Sequence, residues 1–148
     1  MLCSSIGARF AVRVMEWADR TKGAVTGASR IFVCFPWFPG DVRMPEVAYT
    51  SRNRLPVLRR EGWAHVAPEF AVEVVSPENR AFDMEDKPRD YIRAGVDLVW
   101  VIVPSTESVH IWRKDGSRAV AQKGEILSGE DALPGFSVPV ASLFEELD

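Results

Sequence analysis

Acidic side chains stand inside two apolar segments of the chain, where charges are seldom placed. Glu73 lies in the middle of FAVEVV, a β-branched run that predicts a buried strand, and Glu46 follows a proline in MPEVAYT, a second predicted strand. An unpaired buried carboxylate is costly, so Glu73 requires a cation, a basic partner, a raised pKa or an opening to water. An edge position or a salt bridge to an arginine would meet the same requirement.

The two carboxylates together indicate a cation site. Neighbouring strands lie about 4.8 Å apart, so Glu46 and Glu73 could reach one ion if their strands are adjacent. Such a pair would repel unless a cation or a proton lay between them. Oxygen ligands without histidine or cysteine favour Mg²⁺, or alternatively Mn²⁺, over zinc. His65 and His110 lack ligand spacing, and His110 is expected to be structural.

A second set of chemically useful side chains follows the Glu73 strand. Asp83, Lys87 and Tyr91 recur at intervals of four residues and form one stripe if the helix is continuous. A solvated Asp-Lys pair would explain this spacing as well. Beside a carboxylate-bound metal, however, the lysine could hold a water molecule and stabilise negative charge that develops on a phosphate.

Length, composition and charge limit the classes of function. With 148 residues, 47% of them hydrophobic, the chain is long enough for a single domain, residues 1–148, with a real core. The net charge of -3 provides no general attraction to nucleic acid, so such a partner must meet a local basic patch. The candidate patch is an arginine group in RNRLPVLRR, for which a solvated loop is the alternative: Arg52, Arg54, Arg59 and Arg60.

Cysteine usage and hydropathy predict a cytoplasmic protein. The two cysteines, Cys3 and Cys34, show no metal-binding or redox spacing, which fits a reducing compartment. The N-terminus lacks the pattern of a signal peptide, and no run reaches the roughly 18 apolar residues of a membrane span. We therefore expect neither secretion nor a membrane partner.

Apolar periodicity predicts the elements that precede Glu73. A helix is expected over 8–22, with an apolar stripe that includes Met15. The segments 30–36 and 44–50 are expected to pair as a hairpin. Arg52 to Trp63 reads as a loop. Glu69, directly before the Glu73 strand, is expected to shape a turn.

The elements after Glu73 alternate between helix and strand. Pro88 is tolerated only in a first helical turn, so regular helix should begin near Lys87 and end at Ala94, with Gly95 as its cap. DLVWVIV predicts a central strand, SVHIWRKDGSRAVAQ a hairpin and VASLFEELD a short closing helix. The order predicts an α/β or α+β sandwich in which helices flank both sides of a mixed sheet.

Three blocks of the sequence together resemble a known family. MPEVAYTSRNRL, APEFAVEVVSPENRAFDMEDKPRDYIRAGVDLVWVI and LPGFSVPVASLF resemble the bacterial putative restriction endonuclease family of the PD-(D/E)XK nuclease superfamily. The resemblance implies a restriction-endonuclease-like α/β fold, a mixed β-sheet flanked by helices. It also implies magnesium-dependent hydrolysis of DNA phosphodiester bonds. Family members carry an additional N-terminal hairpin, which this single domain is expected to lack unless the true start lies upstream.

The family's functional residues map onto this chain through the matching blocks. Glu46 matches the aspartate of the family's PDV block, and Glu73 matches the glutamate that follows, so the resemblance implies that both bind metal. The superfamily's usual lysine position is Val75 here. The family's later helix lysine corresponds to Lys87, which is implied to be catalytic, with Asp83 and Tyr91 in support.

Three functions stay open at this level. The first is a magnesium-dependent DNA endonuclease, expected to form a homodimer. The second is a catalytically weak or inactive nuclease-like domain that binds DNA or dimerises. The third is an interaction domain unrelated to nucleic acid, in which the charged stripe is structural.

Overall fold

The first helix, α1 (Leu2–Thr21), covers one face of the sheet in this computed structural model, which describes residues 2–21, 33–34, 42–43, 45–54 and 67–145. It begins at Leu2 rather than at the predicted residue 8, because Ile6 continues the apolar stripe by another turn. The prediction that Met15 belongs to this stripe is wrong, since Met15 is 46% exposed. The buried stripe consists of Ile6, Phe10, Ala11, Val14, Trp17 and Ala18.

Two short strands, β1 (Val33–Cys34) and β2 (Val42–Arg43), form an antiparallel pair. The predicted hairpin is therefore wrong in its second strand, because the partner of the first strand precedes residue 44. Pro45 has no N–H to donate to a strand ladder, which separates β2 from the strand that follows. That later strand joins the central sheet instead.

Five strands form the central mixed sheet. In spatial order they are β3 (Val47–Tyr49), β4 (Phe70–Val74), β5 (Leu98–Val103), β6 (Ser108–Arg113) and β7 (Arg118–Gln122). Strands β4 and β5 run parallel, and the other neighbours in this sheet are antiparallel. All residues of β5 are buried, which confirms it as the predicted central strand.

A helical segment connects β4 to β5 and covers the second face of the sheet. It contains a 3₁₀ turn (Pro77–Asn79), a π-helical turn (Phe82–Asp86) and the regular helix α2 (Lys87–Ala94). Gly95 ends α2 with φ at 110°, a left-handed conformation that favours glycine. The predicted start near Lys87 and the predicted glycine cap are both confirmed.

The C-terminal part contains the predicted hairpin and short closing helix, with one strand pair between them that was not predicted. Strands β6 and β7 form a hairpin around Gly116, whose φ is 88°. A second pair, β8 (Ile126–Ser128) and β9 (Ser137–Pro139), leads into the short helix α3 (Val140–Leu143). In the part of the chain that the structure describes, no helix is long and apolar enough to cross a membrane.

The sheet separates two apolar layers. The layer beneath α1 is aromatic, with Phe70 and Trp100 in an edge-to-face arrangement at 4.9 Å between ring centroids. The layer beneath α2 is smaller and includes Tyr91 and Val101. This sandwich of helices around a mixed sheet confirms the predicted fold class, and it places Glu73 beneath α2.

Candidate active site

Glu73 lies near the C-terminal end of β4 and faces the α2 layer. The pleat directs Ala71, Glu73 and Val75 to this side, while Phe70 and Val72 pack beneath α1. The Glu73 residue is only 3% exposed. A carboxylate this deep requires polar partners.

Helix α2 supplies two of these partners. The buried Tyr91 hydroxyl donates a hydrogen bond to Glu73 Oε1 over 2.6 Å. Lys87 Nζ lies 3.4 Å from Glu73 Oε2. Tyr91 and Lys87 therefore contact different oxygens and fix the orientation of the carboxylate.

Asp83 supports the lysine from the π-helical turn. Its Oδ1 lies 3.4 Å from Lys87 Nζ, and the residue is 5% exposed. Its Oδ2 accepts hydrogen bonds from the Ser76 backbone N–H at 3.0 Å and from the Ser76 hydroxyl at 2.9 Å. The predicted stripe of Asp83, Lys87 and Tyr91 thus converges around Glu73.

Burial dominates the electrostatics of this site. It raises the pKa of Glu73 to about 7 from an ordinary value of 4.5. The Lys87 charge and the Tyr91 and Lys87 hydrogen bonds oppose this increase, and the negative charge of Glu46 adds to it. Burial and the Glu46 charge both disfavour the ionised form of Glu73, so a cation beside Glu73 would favour that form.

Glu46 lies at the edge of the sheet beside Glu73. The antiparallel register pairs Val47 with Val72, so its continuation by one residue places the Glu46 backbone opposite that of Glu73. Glu46 is exposed, and its Oε2 would lie 3.3 Å from a Cβ added to Gly7 of α1. Its carboxylate thus lies against α1, while that of Glu73 lies beneath α2.

The structure describes two members of the predicted arginine group, Arg52 and Arg54, and their surroundings differ. Arg54 contacts Glu69 at 3.1 Å and Asp97 at 2.9 Å, and donates to the carbonyl of Ala67 at 2.9 Å. It therefore links the turn after β3 to the beginnings of β4 and β5. Arg52 is exposed.

The remaining members of that group, Arg59 and Arg60, lie outside the described residues, as does His65. Glu69 shapes the turn as expected, because it accepts the N–H of Ser51 at 2.8 Å and also bonds the Ser51 hydroxyl. His110 is half-buried in β6, and burial lowers its pKa.

The donor set suits a hard cation held partly by water and substrate. Among the described residues there is no group of three or more histidine, cysteine or acidic side chains that could hold a metal ion. Mg²⁺ commonly uses one or two carboxylates and takes its other ligands from water and phosphates. Glu73 and Glu46 have the chemistry for that pattern, but the Glu46 carboxylate lies against Gly7 and would have to turn towards Glu73 to share an ion with it. A closed zinc site would require more protein ligands.

Sequence reasoning missed two residues around the site. Ser76 holds Asp83 through two hydrogen bonds. Its position directly before the proline that opens the 3₁₀ turn is the feature of the sequence that could have identified it. Gly7 leaves space for the Glu46 carboxylate. Nothing in the sequence alone places Gly7 of α1 beside Glu46, which lies just before β3.

Comparison with models of protein families identifies the family to which the chain belongs. The family model Uma2, described as "Putative restriction endonuclease", matches residues 3–141. The chain belongs to the Uma2 family. No curated protein matches the chain.

A solved structure is similar to this fold over nearly the whole chain. It is described as a putative nuclease belonging to DUF820 from Anabaena variabilis, and it superposes with a TM-score of 0.79. The identity is 16%, and the match covers 97% of this chain and 80% of that chain. The similarity confirms the restriction-endonuclease-like fold, and together with the Uma2 family it supports a nuclease-like function.

Proposed function

We propose that this protein is a Mg²⁺-dependent DNA endonuclease that hydrolyses phosphodiester bonds, with Mn²⁺ as an alternative ion. The observation that carries the proposal is the buried Glu73 carboxylate, oriented by Lys87 and Tyr91 and next in register to Glu46. Burial disfavours the ionised form of Glu73 and raises its pKa to about 7, a perturbation that clusters at functional sites. A cation at this point offsets that penalty and gives the residue a chemical role.

In this proposal Glu73 and Glu46 hold the ion. When bound, a divalent ion supplies Lewis-acid polarisation of the phosphate and a more acidic water molecule. The Lys87 ammonium, at the exposed side of Glu73, stabilises negative charge on the phosphate. Asp83 and Tyr91 keep the lysine and the Glu73 carboxylate in place, and exposed Arg52 contacts the DNA backbone.

The decisive experiment is cleavage of supercoiled plasmid DNA with Mg²⁺, repeated with excess chelator. We expect nicking by the wild-type chain, loss of nicking in chelator, and about a 100-fold or larger decrease in Glu73→Gln and Lys87→Met. Glu16→Gln, an exposed change on α1, is the matched control and should cleave normally. Cleavage that survives in Glu73→Gln would contradict the proposal.

One observation favours a second candidate, a nuclease-like domain that binds DNA or dimerises without cleavage. The Glu46 carboxylate lies against Gly7, so ion binding requires it to turn towards Glu73. A salt-sensitive shift of DNA without Mg²⁺-dependent cleavage would support this candidate. Absence of both activities would favour an interaction domain unrelated to nucleic acid.

In this proposal the protein acts in the cytoplasm, and its partners are DNA and a second copy of the chain. An outer strand of the central sheet, β7, carries Val120 with 46% of its surface exposed, and pairing with a second β7 would cover it. Light scattering should report a dimer for the wild type and a monomer for Val120→Lys. A wild-type monomer at micromolar concentration would exclude this dimer.

A further inference from the structure

Pro88 occupies an unfavourable place within the helical segment between β4 and β5. A proline has no N–H, and in an α-helix its ring clashes with the carbonyl four residues earlier, here that of Met84. Proline is well tolerated at a free helix start. Here, however, a π-helical turn directly precedes α2, so the proline follows another helical turn.

The backbone before Pro88 is wider than an α-helix. The N–H of Lys87 donates to the carbonyl of Phe82, five residues earlier, which is the bond of a π-helix. A π-helical turn redirects the carbonyls that an α-helix would aim at the proline ring. The wide turn and Pro88 are therefore physically compatible, whereas a regular α-helix and Pro88 are not.

The same turn determines where the site's lysine points. Asp83 lies within the turn, and Lys87 closes it. Lys87 Nζ lies 3.4 Å from both Glu73 Oε2 and Asp83 Oδ1, and Ser76 fixes the other oxygen of Asp83. A change from π-helical to α-helical geometry would rotate Lys87 relative to Asp83 and Glu73.

We propose that Pro88 is a positioning residue, which keeps the preceding turn π-helical and thereby directs Lys87 to Glu73. The inference rests on the proposed function, in which Lys87 acts on the phosphate. Pro88 itself is a buried residue of α2 and is not one of the reacting groups. Its effect on catalysis therefore passes through the direction of Lys87.

The test uses two substitutions that restore the missing N–H, Pro88→Ala and Pro88→Val. Valine retains about the buried volume of proline, so it provides a folded variant if the alanine cavity proves too damaging. Plasmid nicking should decrease about 10-fold to 100-fold in both variants, since small displacements of catalytic groups have effects of that size. DNA affinity should not change. Pro134→Ala, an exposed proline change in the loop before β9, should cleave as the wild type does.

Two further measurements separate positioning from a general loss of structure. The double variant Lys87→Met/Pro88→Ala should cleave less than about twofold more slowly than Lys87→Met alone, because the lysine that Pro88 positions is already absent. A crystal structure of either Pro88 variant should show the Lys87 N–H bonded to the carbonyl of Asp83. It should also show Lys87 Nζ beyond about 4 Å from Glu73 Oε2.

The possible failures are distinguishable. If Lys87→Met is impaired but both Pro88 variants cleave normally, or if the bond to Phe82 persists in both, the inference is overturned and the proposed function stands. Additive losses from Pro88→Ala and Lys87→Met would also overturn the inference. If Lys87→Met cleaves normally, the lysine's role in the proposed function fails, and this inference fails with it.

Discussion

Replacement of Glu73 by glutamine should stabilise the protein at alkaline pH while it removes activity. Glutamine keeps the shape of the side chain and can still accept the Tyr91 hydrogen bond, but it carries no charge at any pH. The wild-type carboxyl is buried and its pKa is raised to about 7, so its ionised form is the unfavourable one in the folded protein.

The size and sign of the effect follow from the two pKa values. The ordinary pKa is 4.5 and the folded pKa is about 7. At about 1.4 kcal/mol per pKa unit, the difference corresponds to roughly 3 kcal/mol in the free energy of unfolding. Because the folded pKa is raised, protonated Glu73 favours the folded wild-type protein. This contribution to the free energy of unfolding is fully present below pH 4.5 and is lost as the pH rises through about 7.

Urea unfolding at pH 5, 6, 7 and 8 in the presence of chelator measures this directly. We expect the free energy of unfolding of Glu73→Gln to exceed that of the wild type by roughly 3 kcal/mol at pH 8, and to approach it at the acidic end. The control Glu16→Gln, exposed on α1, should follow the wild-type curve. Parallel curves for wild type and Glu73→Gln across the pH range would refute the claim that burial makes the ionised form of Glu73 unfavourable.

Three further changes test the surroundings of Glu73. Tyr91→Phe removes the buried 2.6 Å hydrogen bond, so it should lower the free energy of unfolding at pH 8 by about 1–3 kcal/mol, measured with urea, and less at pH 5, where Glu73 is protonated. Gly7→Ala should stabilise α1 by up to about 1 kcal/mol in thermal unfolding and should not weaken Mg²⁺ binding in calorimetry, because the added methyl group displaces the Glu46 carboxylate from a position that it must leave to bind the ion; a several-fold loss of Mg²⁺ affinity would refute this. Arg54→Met should lower the free energy of unfolding in urea by about 1–3 kcal/mol, because it leaves Glu69 without its cation. Arg52→Ala should retain the wild-type stability and reduce the salt dependence of DNA binding. The reverse pattern would contradict these roles.

The main elements of the fold could be predicted because each has a strong local signal. Pro88 and Gly95 mark the regular part of α2, and the uninterrupted apolar run of β5 marks a strand covered on both faces. The stripe at intervals of four could likewise be predicted, because helical spacing brings such residues to one side. These signals depend on residues close together in the sequence.

The errors arose where tertiary contacts decide. The apolar spacing that suggested burial for Met15 also fits an exposed position, and only the packing of α1 on the sheet selects between them. The strand after Pro45 pairs with β4 instead of β1, which depends on the register of distant segments. The ion pairs of Arg54 with Glu69 and Asp97 also join distant segments, so the local arginine pattern does not reveal them.

The central claim is that Glu46 and Glu73 hold one divalent ion, and anomalous diffraction from crystals soaked in Mn²⁺ tests it most directly. We predict one anomalous peak at about 2.1 Å from an oxygen of each carboxylate, with the Glu46 side chain turned away from Gly7. The same soak of Glu73→Gln should show no peak. An ion bound elsewhere, or no ion while Glu73 stays bonded to Lys87 and Tyr91, would contradict the claim.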